Sequence, residues 1–155
     1  MIMVLFGPPG CGKGTQAGII AKDIDIPHLS TGDMLRDAVK SETETGLKAA
    51  SIMEEGKLVS DEIVIDIIKD RICNNDCKNG FILDGFPRTV SQAKELDVML
   101  TSENMKLDLV VDFSVNDEAL ISRIEGRFSC GDCGAGYNDH TKLPIKEGIC
   151  DECGS

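Results

Sequence analysis

The 155-residue sequence predicts an α/β fold: a parallel sheet with helices on both faces and two small appended lobes. Three observations predict it. Apolar runs bounded by glycine and proline alternate with amphipathic stretches, the pattern of strands joined by helical crossovers. The first run, Met1–Phe6 (MIMVLF), is continuously apolar, as a strand covered on both faces must be. Beyond about Arg127 the texture turns small, polar and cysteine-bearing with no helical period, which marks a separate lobe.

The elements follow in order. After the first strand, a helix begins near Lys13 and runs to about Asp23, and a brief strand lies around His28 and Leu29. Ser30 caps the next helix, with Asp33 three residues on as a capping-box partner. Ser60 caps another that carries Asp61 and Glu62 in its first turn, where the helix dipole favours anions, and Ile63, Ile67, Ile68 and Ile72 as a buried stripe. Phe81–Asp84 (FILD) and residues 107–113 (LDLVVDF) are strands; Thr89 and Asp117 open the remaining helices.

Composition narrows the function. Apolar content of 41% with 28% charged residues is ordinary for a globular chain, and this length buries roughly 70% of the surface exposed when unfolded. No apolar run approaches the roughly 20 residues of a helical membrane span. The apolar start is too short for a signal peptide and lacks a basic flank, so a cytoplasmic location is expected. A net charge of −11 argues against nucleic acid as the partner, because phosphate backbones demand a basic footprint. Any phosphate chemistry must rest on a few placed cations. Of seven cysteines, four form CxxC pairs without a secretory signal, which favours metal over disulfides. Cys11, Cys73 and Cys77 read as ordinary reduced residues.

Residues 7–15 (GPPGCGKGT) lie between a predicted strand and a predicted helix, the context of a phosphate-binding loop. Glycines let the backbone curl its N–H groups inward, the helix adds its positive end, and Lys13 supplies a mobile cation. Gly14 intervenes before the hydroxyl of Thr15, so Thr15 is placed to touch a phosphate rather than bind magnesium directly. Asp84 ends a strand, where ligands collect in doubly wound folds, and is a candidate to hold Mg²⁺ through water. The guanidinium forks of Arg36 and Arg88 suit a phosphate, though either could be a solvated surface group. Gln92 is either a capping-box partner of Thr89 or a reader of a base edge. Arg123 and Arg127, four apart on a predicted helix, either clasp an anion or are solvated beside Glu125. His28 and His140 have no partner in a recognisable catalytic order.

Cys130-x-x-Cys133 and Cys150-x-x-Cys153, separated by 16 residues, have the spacing of a four-thiolate zinc site. Four protein ligands leave no open position, so the site is structural. A lobe this short has too few apolar residues to fold alone, and the metal supplies that stability.

The shifted GKGT form resembles the phosphate loop of nucleoside monophosphate kinases. Residues 30–36 (STGDMLR), 56–59 (GKLV) and 84–88 (DGFPR) with Gln92 make the chain similar to the adenylate kinase family of zinc-lid, long-lid type, over residues 7–153. The resemblance implies a P-loop NTPase-type fold: a core of residues 1–29 and 60–126, an AMP-binding lobe of 30–59 and a zinc-binding lid of 127–155. It implies reversible transfer, ATP + AMP = 2 ADP, with Mg²⁺ and structural Zn²⁺, by a monomer serving nucleotide homeostasis. ATP would meet Gly10, Cys11, Gly12, Lys13, Gly14, Thr15, Arg123, Arg127, Gly136 and Tyr137. AMP would meet Thr31, Arg36, Lys57, Leu58, Val59, Gly85, Phe86, Pro87, Arg88 and Gln92. Lys13, Asp84, Arg88, Arg123 and Arg127 would carry catalysis. Family members continue past Cys153 into a last sheet strand and closing helices, absent here, so the chain is expected to be a fragment of impaired activity. The alternatives are a non-catalytic nucleotide- and zinc-binding remnant, or a kinase for another monophosphate.

Overall fold

The computed structural model describes residues 1–54 and 59–155; Gly56, Lys57 and Leu58 of the expected acceptor segment lie outside the described residues. The described chain divides into two compact units.

The first unit comprises Met1–Phe6 and Lys13–Asp112. Strands β1 (Ile2–Phe6), β2 (His28–Ser30), β3 (Phe81–Asp84) and β4 (Leu109–Asp112) form one sheet in the order β2-β3-β1-β4, every pair parallel. Helices α1 (Lys13–Asp23), α2 (Thr31–Lys40), α3 (Glu44–Glu54), α4 (Asp61–Ile72) and α5 (Val90–Ser102) make the crossovers. From β1 the chain moves to one side to reach β2; from β3 it moves to the other side to reach β4. Right-handed crossovers therefore put α1 on one face and α4 and α5 on the opposite one. In agreement, α4 packs on α5, and α1 packs on β1 and β3.

The pleat sorts the core accordingly. Ile2 and Val4 of β1, Leu29 of β2 and Phe81 and Leu83 of β3 share the face that meets Ile68 and Ile72 of α4 and Leu96, Met99 and Leu100 of α5. Met3, Leu5 and Ile82 have the opposite parity and are buried, as is Ala17 of α1. Full burial of each such aliphatic or aromatic side chain stabilises the fold by roughly 1.5–3 kcal/mol. Asp108 anchors the edge strand, its Oδ2 accepting the Ile2 N–H at 2.7 Å. Leu109 and Val110 of β4 are about half exposed, so this edge presents apolar side chains to solvent.

Several expectations shift. The strand expected over 107–113 is only Leu109–Asp112. The stripe on α4 is turned: Ile68 and Ile72 are buried and Val64 and Ile65 pack beside them, while Ile63 and Ile67 are half-buried. Ser60 occupies the N-cap of α4 without a side-chain cap bond. Ser30 does accept the Asp33 N–H, at 3.4 Å, but the Asp33 carboxylate turns to Arg36 instead of closing the capping box. Helix α3, not anticipated as a separate element, starts where the Thr43 hydroxyl accepts the Gly46 N–H at 3.0 Å.

The second unit comprises Gly7–Gly12 and Phe113–Ser155. It holds helix α6 (Asp117–Glu125), capped by Asn116, and an antiparallel hairpin of β5 (Arg127–Ser129) and β6 (Gly136–Asn138). Two short turns, each carrying a cysteine pair, complete it.

Candidate active site and metal centre

Within the second unit, the loop Gly7–Gly12 turns through left-handed backbone at Gly10 (φ 81°) and Gly12 (φ 101°), conformations that glycine adopts without penalty. Helix α6 lies against this loop: a Cβ added at Gly10 would stand 2.9 Å from Ile124, and Arg123 Nη1 donates to the Cys11 carbonyl at 3.4 Å. Arg123 is thus at the loop. Arg127 is not beside it on one helical face, as the spacing predicts; α6 ends at Glu125, Gly126 caps it, and Arg127 opens β5 opposite Asn138. The hairpin is tied to that helix end by Asn138 Nδ2 donating to the Arg123 carbonyl at 2.9 Å and by the Asp139 N–H on Gly126 O at 2.8 Å. Asn138 is buried and also accepts the His140 and Thr141 N–H groups, an Asx-type turn with a local sequence signature that names no function by itself.

Within the first unit, Lys13 opens α1, and Gly14 and Thr15 are exposed in its first turn. Asp84 ends β3 on the α1 face, and a Cβ added at Gly14 would lie 3.5 Å from its Oδ2. The same oxygen is 3.3 Å from His28 Nε2, a partnership that no local pattern announces because the two residues are 56 apart. Thr31, buried at the start of α2, donates its hydroxyl to the Asp84 carbonyl at 3.3 Å. Thr31, Gly85 and Arg88 come together: a Cβ on Gly85 would meet Thr31 Oγ1 at 2.7 Å and Arg88 Nη2 at 2.9 Å. Arg88 is exposed and donates Nε to the Gly85 carbonyl at 2.7 Å.

Phe86 places its ring in the core and Pro87 is buried, so both support the loop from beneath. Arg36 is exposed and paired with Asp33; although burial pushes the Asp33 carboxyl up, the Arg36 and Ser30 hydrogen bonds hold it below its ordinary value. Val59 is half-buried just before α4.

Gln92 is both a helix-start residue and more. Its N–H meets the Thr89 hydroxyl at 3.1 Å, the capping contact. Its amide is fixed from two sides: Oε1 accepts the Arg88 N–H at 2.7 Å, and Nε2 donates to Asp61 Oδ1 at 2.6 Å. Asp61 Oδ2 takes the Thr89 hydroxyl at 2.8 Å. Asp61, read from sequence only as a dipole-favouring anion, therefore orients the glutamine. Among the described residues this leaves the amide one hydrogen and one carbonyl lone pair, a donor and an acceptor side by side.

The four knuckle cysteines converge. Their sulfurs lie within 4.8 Å of one another, with Cys130 and Cys153 at 3.7 Å and Cys133 and Cys150 at 3.5 Å. Zn–S bonds of about 2.3 Å in a tetrahedron place sulfurs about 3.8 Å apart, so the set fits zinc. The two turns repeat one pattern: the Gly134 and Gly154 N–H groups return to the carbonyls of Cys130 and Cys150, with both glycines left-handed (φ 74° and 76°). The Tyr137 hydroxyl and backbone N–H groups draw the Cys150 thiol down to about 6, while Cys133 and Cys153, although backbone hydrogen bonds pull them down, are pushed up by hydrogen bonding among the neighbouring sulfurs. Tyr137 itself is buried, its ring stacked on Phe128 at 5.5 Å.

Comparison with known proteins fits this geometry. The family profile described as adenylate kinase matches residues 5–151. The adenylate kinase of Rhizobium etli is 54% identical over 155 residues, all of this chain and 72% of that protein. Those of Caldicellulosiruptor bescii (53%) and Magnetococcus marinus (54%) each align with 99% of this chain and 72% of their own length. With the family profile matching residues 5–151 and relatives more than half identical across its length, this protein belongs to the adenylate kinase family.

Proposed function

We propose that the chain transfers a phosphoryl group reversibly between ATP and AMP, with the donor held by Gly10–Thr15 and the acceptor by Thr31, Arg36, Lys57, Leu58, Val59, the 85–88 loop and Gln92. The observation that carries this reading is the Asp84 carboxylate at the end of β3, against the first turn of the helix that Lys13 opens. Asp84 would hold Mg²⁺ through water beside the phosphates, where the ion bound with ATP would neutralise their charge. His28 turns that carboxylate toward the helix. Lys13 meets the outer phosphates, while Arg123 and Arg127 supply further positive charge to the donor. No covalent residue or general base is required, since positioning and electrostatics suffice for this transfer.

Residues 30–59 form the acceptor lobe, and 127–155 the lid in which Cys130, Cys133, Cys150 and Cys153 hold zinc; Gly136 contributes backbone to the donor. The protein acts as a cytoplasmic monomer. A coupled assay of ADP formation from ATP and AMP tests the reading, with GMP, CMP and UMP as competing acceptors. Preferred use of AMP is expected; equal use of all four acceptors, or no nucleotide-dependent turnover, would overturn it.

A further inference from the structure

We propose that Tyr137 is a positioning residue of the metal centre, its hydroxyl clamping the Cys150 sulfur to the backbone of the second knuckle. The hydroxyl donates to Cys150 Sγ at 3.3 Å and accepts the Asp151 N–H at 2.7 Å. A phenol has one hydrogen to give, and here it goes to sulfur; a lone pair takes the amide of the next residue. The thiol and the turn that presents it are thereby held by one atom.

The rest of the side chain serves the same end. Tyr137 is 4% exposed. It pairs across the hairpin with Phe128, the rings stacked with planes 20° apart, and Lys142 Nζ lies 5.1 Å from its ring centroid. A ring covered in this way does not stack on a nucleotide base, so the contribution of Tyr137 to the donor site is confined to its backbone. The hairpin instead buttresses the second cysteine turn, which a lobe with few apolar residues needs. Groups that hydrogen-bond a metal ligand orient it, and losing one weakens metal affinity roughly 10- to 100-fold.

This inference rests on the four cysteines holding zinc. The test uses the whole chain, zinc competition against a chromophoric chelator, and Co²⁺ substitution as a spectroscopic probe. Tyr137→Phe keeps the ring and removes only the hydroxyl. Its zinc affinity is expected to fall roughly 10- to 100-fold. Its thiolate-to-Co²⁺ charge-transfer band should move to longer wavelength, since an unclamped thiolate donates more readily. Phe128→Leu, which loosens the ring stack but leaves the hydroxyl, should keep the unsubstituted spectrum. Affinity within two-fold and an unmoved band in Tyr137→Phe would overturn the proposal. So would an equal loss in Phe128→Leu, which would assign the effect to packing. If the unsubstituted chain binds neither Zn²⁺ nor Co²⁺, the metal-centre reading fails and this inference with it.

Discussion

Asp61 Oδ1 lies 2.6 Å from Gln92 Nε2, while the Arg88 N–H holds Gln92 Oε1 from the other side at 2.7 Å. The amide cannot exchange its oxygen and nitrogen without setting donor against donor. Replacing Asp61 with alanine releases that orientation and leaves the Thr89 hydroxyl without its acceptor. The KM for AMP should rise about ten-fold with kcat changed less, as expected when a buried hydrogen-bonding partner worth about 1–3 kcal/mol is removed. Discrimination between AMP and GMP should narrow. Steady-state kinetics with both acceptors check this, and an unchanged selectivity would refute the orienting role.

Lys13→Met removes the cation at the start of α1 but keeps most of the length of the unbranched side chain. Turnover should fall at least a hundred-fold, the scale seen when a preorganised donor to developing charge is lost. Far-ultraviolet circular dichroism should stay unchanged, because the residue is half-buried at a helix start and takes no part in the core cluster. Unaltered kcat in a folded variant would remove Lys13 from the donor site.

Helix caps separate residues that look equivalent in the sequence. Asn116 Oδ1 accepts the Ala119 N–H at 2.8 Å, whereas Ser60 occupies the same position on α4 with no side-chain cap bond. Asn116→Ala should cost about 1 kcal/mol of stability in urea unfolding and Ser60→Ala close to nothing. Equal losses in the two variants would contradict the capping assignment.

Zinc removal should act locally. The knuckle lobe is short of apolar residues, and metal binding is its folding free energy, while the sheet core rests on Phe81, Leu83, Ile68 and Ile72. Limited proteolysis after chelation should cut within residues 127–155 and spare the segment before α6. Uniform cleavage along the chain would show instead that the metal stabilises the whole molecule.

Much of this was legible from residue order alone. The boundaries of α1 and β3 were readable because a glycine loop and an Asp-Gly turn punctuate them. The cysteine spacing carried the metal centre because two identical short turns suffice to present four sulfurs. Contacts whose deciding partner is remote in the chain carry no such punctuation. His28 meets Asp84, and Asp61 meets Gln92, across 56 and 31 residues. No local pattern encodes such pairs. The spacing places Arg127 on the helix with Arg123 because the helical period runs on past Gly126, where α6 ends and the hairpin begins.

Cys77 offers a test by pH. Burial pushes its thiol from 9.0 up to about 11, against the pull of the Arg71 guanidinium, which donates to the sulfur at 3.1 Å. Because the folded value lies above the unfolded one, the native state keeps its proton where the unfolded chain gives it up. Stability from this site is therefore intact below pH 9.0 and declines as pH rises to about 11. Cys77→Ala should flatten that alkaline decline in Tm measurements. Thiolate is the reactive form, so iodoacetamide at pH 8 should modify exposed Cys73 well ahead of buried Cys77. Equal labelling of the two, with the fold intact, would show that the Cys77 thiol is not held in the protonated form.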